Sequence, residues 1–468
     1  MVYYITSNQQ CLENIMPCTQ RQFGLKMEFF ELGFLILAGL LAGAVVGMLP
    51  GVGTTTCLLG MYPLISTLSL QGMFVFYIAM IGTTQYFGSI TAIIFGSAGE
   101  VTSQPAVTYG HPIFLEGKSA PLLAATATAS FIGSIIGIII LYIASVNQSW
   151  LSLVMSNTVR LIIFVSTILL LIATSKQYLT GSIAAMSGIL LGSVGYNWLF
   201  NSRFLVPQFT SLDAGISIMP VFIGLLVLPT LVDFAKFPVH RNLRSDPAYT
   251  FKKKLLLLVT TVNKLVILRS SVVGAVTGLI PGISYIISSF AAVAIEKKLH
   301  NNNHSNLVIA AESANNAGAI TALIPLLLLA IPIIPSETLI LGMAEQHGFG
   351  MGSSLKFLTL HLNLFASVLI VVSFINVFLS GMMYSVYIRV FEYLNAQVYY
   401  LLFFALLGIT LANAYIENQL LLTAVILAVS FSVGRLIKSS AVKSIIIMSF
   451  FLSDEIVNEL YRFYIFNF

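Results

Sequence analysis

Apolar runs recur along the chain at 29–48, 73–95, 119–145, 158–173, 177–195, 214–232, 269–290, 307–331, 357–380, 398–413, 419–434 and 440–452. Most approach the roughly 20 apolar residues that cross a bilayer as a helix, so the pattern predicts about ten to thirteen transmembrane helices. The strict alternation of a lipid-facing barrel strand is absent, and no long polar block separates the runs. An all-α polytopic membrane protein is therefore the expected fold. Two places break the pattern: "LPGVGTTT" at 49–56 follows FLILAGLLAGAVVGM, and "IPGISYI" at 280–286 falls inside the run 269–290. Pro and Gly cost roughly 3 and 1 kcal/mol in a helix interior. In lipid, the backbone groups they free must be satisfied by surrounding protein. Both places are expected to be broken or re-entrant segments.

The two breaks are copies of each other. Gly39, Gly43, Gly47 and Gly51 fall every four residues, and Ser270, Gly274, Gly278 and Gly282 repeat them 231 positions later, with Pro281 matching Pro50. The aligned lines read GAVVGMLPGVG and GAVTGLIPGIS, and "GSITAII" at 88–94 matches "GAITALI" at 318–324 at an offset of 230. An internal duplication organises the chain as a polar stretch 1–28, a first repeat 29–235, a basic loop 236–268 and a second repeat with C-terminal helices 269–468. A row of small residues is ordinarily a helix-packing stripe, and a single Pro-Gly pair is ordinarily a kink. Interrupted segments at corresponding places of two halves instead point to a transporter's midplane site, the repeats being of inverted topology.

An unwound helix exposes N–H groups and a positive half-helix end that suit an anion, and carbonyls that suit a cation. Candidate substrate residues are therefore Pro50, Gly51, Gly53, Thr54 and Thr55 at the first break, and Pro281, Gly282 and Ser284 at the second. The hydroxyls of Thr54, Thr55 and Thr56 either cap the new helix or contact a carboxylate. "AESANNAGAITALIP" at 311–325 carries Glu312, Asn315 and Asn316 into an apolar run, where ionisable and amide groups are rare unless they face a cavity or each other. Glu312 reads as a site for a coupling cation or proton, or as the partner of a neighbouring amide. Asn315 and Asn316 read as Na⁺ ligands, carboxylate donors or interhelical hydrogen-bonders. Their first-repeat equivalents fall near Gln85 and Tyr86, just before Gly88 and Ser89. Ser89 and Gly99 join the substrate set, and Thr91 and Thr321 join Glu312 and Asn315 in the ion-coupling set. "GSAGEVTSQPA" at 96–106 and "AIPIIPSETL" at 330–339 form a second pair of interruptions, with Glu100 and Glu337 in comparable places.

Composition agrees with a membrane class. Of 468 residues, 57% are hydrophobic and 8% charged, against about a quarter charged in a soluble domain. Net charge is +5, and much of it lies in Lys236, Arg241, Arg244, Lys252, Lys253, Lys254, Lys264 and Arg269, opposed by Asp233 and Asp246. Beside apolar spans such a cluster marks a cytoplasmic loop, and no nucleic-acid partner is expected. Cys11, Cys18 and Cys57 fit neither a zinc site nor a disulfide framework. The six histidines form no H-E-x-x-H motif, no G-x-S-x-G elbow occurs and there is no phosphate loop. Hence no enzyme, metal or cofactor is expected beyond Na⁺ or H⁺ as a coupling ion. His111 in "YGHPIF" and His347 in "AEQHGF" read as membrane-interface loop residues. Residues 1–26 lack the apolar core of a secretory signal and read as a short polar tail or a product of start-site choice.

GMLPGVGTTT, FGSITAIIFGSAG, GLIPGIS with EKKLH at 296–300, ESANNAGAITALIPLLLLAIP and LANAYIENQLLLTAVILAVSFSVGRL together resemble the large membrane subunit of the tripartite tricarboxylate transporters, the TctA family. The resemblance runs from about Met27 to about Phe463. It implies a secondary transporter of the bacterial inner membrane that works with a small four-helix membrane subunit and a periplasmic solute-binding protein. Such a system imports citrate-like tricarboxylates or other organic anions, driven by an ion gradient. The family's motifs fall on Pro50, Gly51 and Gly53, on Pro281 and Gly282, and on Glu312, Asn315 and Asn316. The chain departs from the family at Ser284, which stands where Gly is usual, and at Ala311, which precedes Glu312 where Pro is usual. Ser97-Ala98-Gly99 and Ile331-Pro332-Ile333 also replace Ile-Pro-Gly turns. These departures lie at the presumed binding loops and leave open a divergent substrate or a partner-independent carboxylate carrier. An ion or solute channel is the other alternative, and it requires a continuous polar pore. A scaffold leaves the duplicated breaks unexplained.

Overall fold

Apolar runs become helices whose ends are set by polar residues just outside them. The computed structural model describes residues 29–48, 54–96, 101–146, 162, 165, 168–169, 172, 177–197, 202–204, 212, 215–236, 263–279, 284–300, 303–332, 334–350, 352–382, 396–416, 419–453, 456–457 and 460. Pro50, Gly51, Gly53, Gly99, Pro281 and Gly282 lie outside these residues, as do the stretch 1–28, most of the basic loop and most of the run 158–173. The first repeat comprises α1 (Phe29–Met48), α2 (Thr54–Gly60), α3 (Tyr62–Ile65) and α4 (Leu70–Phe95). A π-helical turn at Ala106–Gly110, α5 (His111–Leu115) and α6 (Ser119–Val146) follow. Next come α7 (Tyr178–Gly192), the short strands β1 (Gly195–Asn197) and β2 (Ser202–Phe204), and α8 (Ile218–Phe222), which runs through a π turn into α9 (Leu228–Lys236). The second repeat comprises α10 (Lys264–Gly278), α11 (Ser284–His300), α12 (His304–Leu329), α13 (Pro335–Glu345) and α14 (Ser354–Met382). The chain then continues through α15 (Ala396–Ile416), α16 (Leu420–Leu436) and α17 (Ser440–Phe451).

This is an all-α polytopic membrane protein. Among the described residues, five helices (α1, α4, α6, α12 and α14) are long and apolar enough to span a bilayer, and several shorter apolar helices accompany them. The antiparallel pair β1–β2, with Gly195 opposite Phe204, is a small addition to the helical fold.

Caps explain where the boundaries differ from the apolar runs. Ser69 accepts from the Gly72 N–H at 3.1 Å, so α4 starts at Leu70 rather than 73. Asn263 accepts from the Val266 N–H at 3.4 Å and starts α10 at Lys264, five residues before the expected repeat boundary at 269. Lys264 and Arg269 are therefore helical rather than loop residues. The run 269–290 is two helices, one ending at Gly278 and the other opening at Ser284.

The small-residue rows pack α1 on α4 and α10 on α12. A Cβ on Gly39 would lie 2.7 Å from both Ala79 Cβ and the Phe76 carbonyl, and one on Gly47 would lie 2.6 Å from Phe87 Cβ. In the second repeat, a Cβ on Gly274 would lie 2.5 Å from Ala314 Cα, and one on Gly278 would lie 2.7 Å from Gly318 Cα. Gly133 and Gly137 of α6 close the other side of α12, where a Cβ would lie 3.1 Å from Ser313 Cα and 2.9 Å from the Ala317 carbonyl. These close approaches bury α12 along its whole apolar window and α4 along 94% of its own, whereas α1 buries 28%. Helices α4 and α12 thus form the centre of the described protein.

Both central helices end in a left-handed residue. The cap of α4 is Gly96 (φ 63°), and that of α12 is Ala330 (φ 52°). The Ala330 N–H bonds the Leu326 carbonyl at 3.0 Å, the single bond of a left-handed helix cap, and the Ile331 N–H bonds the Pro325 carbonyl at 3.1 Å. An L-residue in this conformation costs roughly 1–2 kcal/mol, while the buried Ala330 methyl returns roughly 0.8 kcal/mol. Ala330→Gly is therefore expected to stabilise the protein modestly, by about 0.2–1.2 kcal/mol, because the strain relieved outweighs the methyl burial lost. Ala330→Val, β-branched at positive φ, is expected to lose about 1–3 kcal/mol. Thermal midpoints of the purified variants in detergent check both.

Candidate functional site

The helices α4 and α12, equivalent in the duplication, meet each other at the centre of the protein. Asn315 Nδ2 donates to Gln85 Oε1 at 2.8 Å. These two residues are 230 apart, the offset of the matched GSITAII and GAITALI blocks, so each touches its own counterpart. One turn away, the Ser89 hydroxyl donates to Glu312 Oε2. Moving forward from Gln85 to Ser89 on α4 moves backward from Asn315 to Glu312 on α12. The equivalent helices therefore cross antiparallel. Other contacts keep this order: Tyr77, early in α4, bonds Ser336 beyond the end of α12 at 3.2 Å. Val308, early in α12, packs in one cluster with Phe87, Ile90 and Ile93, late in α4.

Two further long helices, α6 and α14, flank this crossing. In the second half, α14 lies along α4: Phe357 and Phe365 stack on Phe74 at 5.5 and 6.1 Å, and Asn376 donates to Thr83 at 3.1 Å. In the first half, α6 lies along α12 through Gly133 and Gly137. Helix α14 thus lies on α4, and α6 on α12.

Polar groups concentrate along this crossing. Thr83, Gln85, Ser89, Thr91, Glu312, Asn315, Asn316 and Thr321 are all buried. Asn316 Nδ2 turns back to its own helix, donating to the Glu312 carbonyl at 2.9 Å, and the Tyr86 hydroxyl reaches Ser134 at 3.4 Å. Two acceptors are left over at the crossing: among the described residues, neither Glu312 Oε1 nor Asn315 Oδ1 has a hydrogen-bond partner. A buried acceptor without a donor costs about 1–3 kcal/mol, more if charged. Among the described residues, no three His, Cys, Asp or Glu side chains come together. The chemistry available at the crossing is that of amide, hydroxyl and carboxylate oxygens.

Thr91 and Thr321, equivalent in the duplication, act alike. Thr91 donates to the Gly47 carbonyl at 2.8 Å and Thr321 to the Ala275 carbonyl at 3.0 Å. Thr91 staples α4 to α1 and Thr321 staples α12 to α10, so their hydroxyl protons are committed to backbone. Thr54 opens α2 with a buried side chain, Thr55 follows half-buried, and Ser284 opens α11. The two arms of the second broken segment are tied twice, Thr277 to Ser288 at 2.6 Å and Arg269 to the buried Glu296 at 2.6 Å.

The second pair of interruptions follows the ends of α4 and α12. Glu337 folds back so that its Oε2 accepts from the Ile334 N–H at 3.3 Å, capping α13. His111 is not a loop residue: it opens α5, and its Nδ1 donates to the Ile93 carbonyl at 2.9 Å, capping α4 from outside. His347 lies in the turn after α13. The sequence reading does not single out Asn376, although an amide within the apolar stretch VVSFINVF at 371–378 is a signal of the same kind as Asn315.

Comparisons with known proteins agree with one another. A family model described as "Tripartite tricarboxylate transporter TctA family" matches residues 34–449. An Agrobacterium vitis protein, named "Uncharacterized 52.8 kDa protein in TAR-I ttuC' 3'region", is 28% identical over 328 residues, covering 67% of this chain and 64% of its own length. A second one, "Uncharacterized protein in TAR-II ttuC' 3'region", is 40% identical over 85 residues, 17% of this chain and 35% of its own length. The chain thus spans less than two thirds of either relative's length. No solved structure matches the chain.

Proposed function

The chain belongs to the tripartite tricarboxylate transporter TctA family, and on that premise we propose that it is the membrane subunit through which an organic anion crosses the bacterial inner membrane. Tricarboxylates and related carboxylates are the substrate class. The carrying observation is the antiparallel crossing of α4 and α12 at Gln85–Asn315, which brings two copies of one broken-helix unit together around a buried polar centre. Inverted repeats meeting in this way suit alternating access, one bundle moving against the other around a fixed site. With the basic loop 236–268 in the cytoplasm, α10 enters from inside and α1 from outside. The breaks at Pro50-Gly51 and Pro281-Gly282 then converge on the anion, offering N–H groups and half-helix ends. Thr54, Thr55, Ser89, Gly99, Ser284, Asn315 and Asn316 supply or support the polar contacts. A cation gradient drives uptake, and a small membrane subunit and a periplasmic solute-binding protein complete the system.

Reconstitution of the chain with those two partners tests this reading. Labelled citrate and smaller carboxylates are expected to accumulate in vesicles under an imposed Na⁺ or proton gradient and not without it. Gly51→Leu, which puts a side chain where the ligand approaches backbone, is expected to abolish uptake while membrane insertion stays normal. Absence of gradient-driven uptake for every carboxylate tried, with all three subunits present, overturns the proposal.

A further inference from the structure

The C-terminal end of α11 carries a cation that no carboxylate answers. Arg269, early in α10, pairs with Glu296, late in α11, at 2.6 Å, so α11 returns to the face from which α10 enters. The basic loop gives that face to the cytoplasm. Glu296 is thereby taken, and among the described residues Lys297 beside it has no ion-pair partner. Its Nζ instead sits 4.8 Å from the centroid of the Tyr109 ring, which His304 meets edge-on at 5.5 Å. An ammonium held over an aromatic face keeps protons free for an oxygen acceptor.

Inward of Lys297 lies a cleft of about 210 Å³ between α11 and the π-helical turn Ala106–Gly110. Pro105, Tyr109, Phe290, Val293 and Ala294 line it mostly with carbon. Phe290 and Lys297 are two helical turns apart, about 10 Å along the helix, and the hydrocarbon of one leaflet is about 15 Å thick. The cleft therefore runs from the level of the charge well into the apolar layer. Its outer side faces lipid, since Phe290, Ile295 and Leu299 of α11 are all exposed apolar side chains.

We propose that this cleft holds one anionic phospholipid, its phosphate on Lys297 and the upper part of one acyl chain along Phe290, Val293 and Ala294. A free phosphate or a small carboxylate would satisfy the ammonium but leave the apolar wall bare. A zwitterionic lipid would bring a second cation to a place that already holds one. Lysine at a membrane boundary ordinarily snorkels to whatever headgroup is near, and the cleft beside Lys297 adds a seat for a particular lipid. The inference goes beyond the transport reading and needs neither substrate nor partner subunits.

The full chain, purified in detergent, is melted in mixed micelles in which phosphatidylglycerol progressively replaces phosphatidylcholine of the same acyl chains, at constant total lipid and ionic strength. A ligand that binds only the folded state raises the midpoint, so the midpoint is expected to rise with the phosphatidylglycerol fraction. Lys297→Gln is expected to need about tenfold more anionic lipid for the same rise, as loss of a hydrogen bond to a charged group implies, and Lys297→Arg is expected to behave as the native chain does. Ala294→Trp, which fills the cleft and leaves Lys297 in place, is expected to abolish the rise. Lys298→Gln is the matched control, an exposed lysine outside the cleft, and is expected to change nothing. Glycerol phosphate and citrate, added without lipid, are expected to have no effect that Lys297→Gln removes. Equal midpoints in the two lipids, a rise that Lys297→Gln or Ala294→Trp leaves unchanged, or a rise with either soluble anion that is lost in Lys297→Gln overturns the inference.

Discussion

Gly274→Leu is expected to yield no folded protein, recovered as aggregate rather than as a single species on size-exclusion in detergent. The first atom of any new side chain would lie 2.5 Å from Ala314 Cα and 2.7 Å from its carbonyl carbon. Both are backbone atoms of α12, so no rotamer change relieves the clash. Nor can α12 retreat, because Gly133 and Gly137 press α6 against its opposite side. Overpacking by a single methylene costs about 1–3 kcal/mol, so Gly274→Ala alone is expected to lower the thermal midpoint clearly, and leucine adds three more carbons to the same contact. Gly342→Ala is the matched control. It is helical too, with nothing within 4 Å of a Cβ there, and replacing Gly in a helix by Ala gains up to about 1 kcal/mol. Equal behaviour of the Gly274 and Gly342 variants would contradict the packing of α10 on α12.

Gln85 and Asn315 are expected to be coupled, and breaking either is expected to stop transport. Asn315→Leu keeps side-chain volume but leaves Gln85 Oε1 without the Nδ2 donor at 2.8 Å. Gln85→Leu removes the acceptor instead. Each change is expected to cost about 1–3 kcal/mol, since a polar group is stranded in a buried site. The double variant strands neither, so its loss is expected to fall short of the sum by about 0.5–3 kcal/mol. Additive losses would mean that residues 230 apart in sequence are not in contact. That result would remove the antiparallel crossing and the inverted arrangement together. Uptake is the second readout: both single variants are expected to insert and to lose gradient-driven accumulation. An Asn315 variant that transports normally would take the crossing out of the pathway.

The apolar runs, the two Pro-Gly breaks and the duplicated blocks are local features. Run length against bilayer thickness predicts a spanning helix, and the cost of Pro and Gly predicts where one stops. Even the departures at helix ends are local in origin, because Ser69 and Asn263 lie just outside their runs and set the start by capping. The glycine rows announced that something would pack closely on α1 and α10, but not what. Thr91 and Thr321 illustrate the limit. Their equivalence is legible at once, yet only the packed helices reveal that each hydroxyl is committed to a carbonyl of the first helix of its own repeat.

The sequence by itself determined a polytopic helical membrane protein, its internal duplication, the places where helices break and the acidic-amide stretch 311–325. The tertiary structure alone decided that Gln85 faces Asn315, that Glu312 faces Ser89 and that Asn376 reaches Thr83. The reason is physical. Helices buried on every side, as α4 and α12 are, carry no polar face to declare which way they turn. Their partners follow from how glycine-lined neighbours set the crossing, and residues 230 apart meet only once that crossing is made.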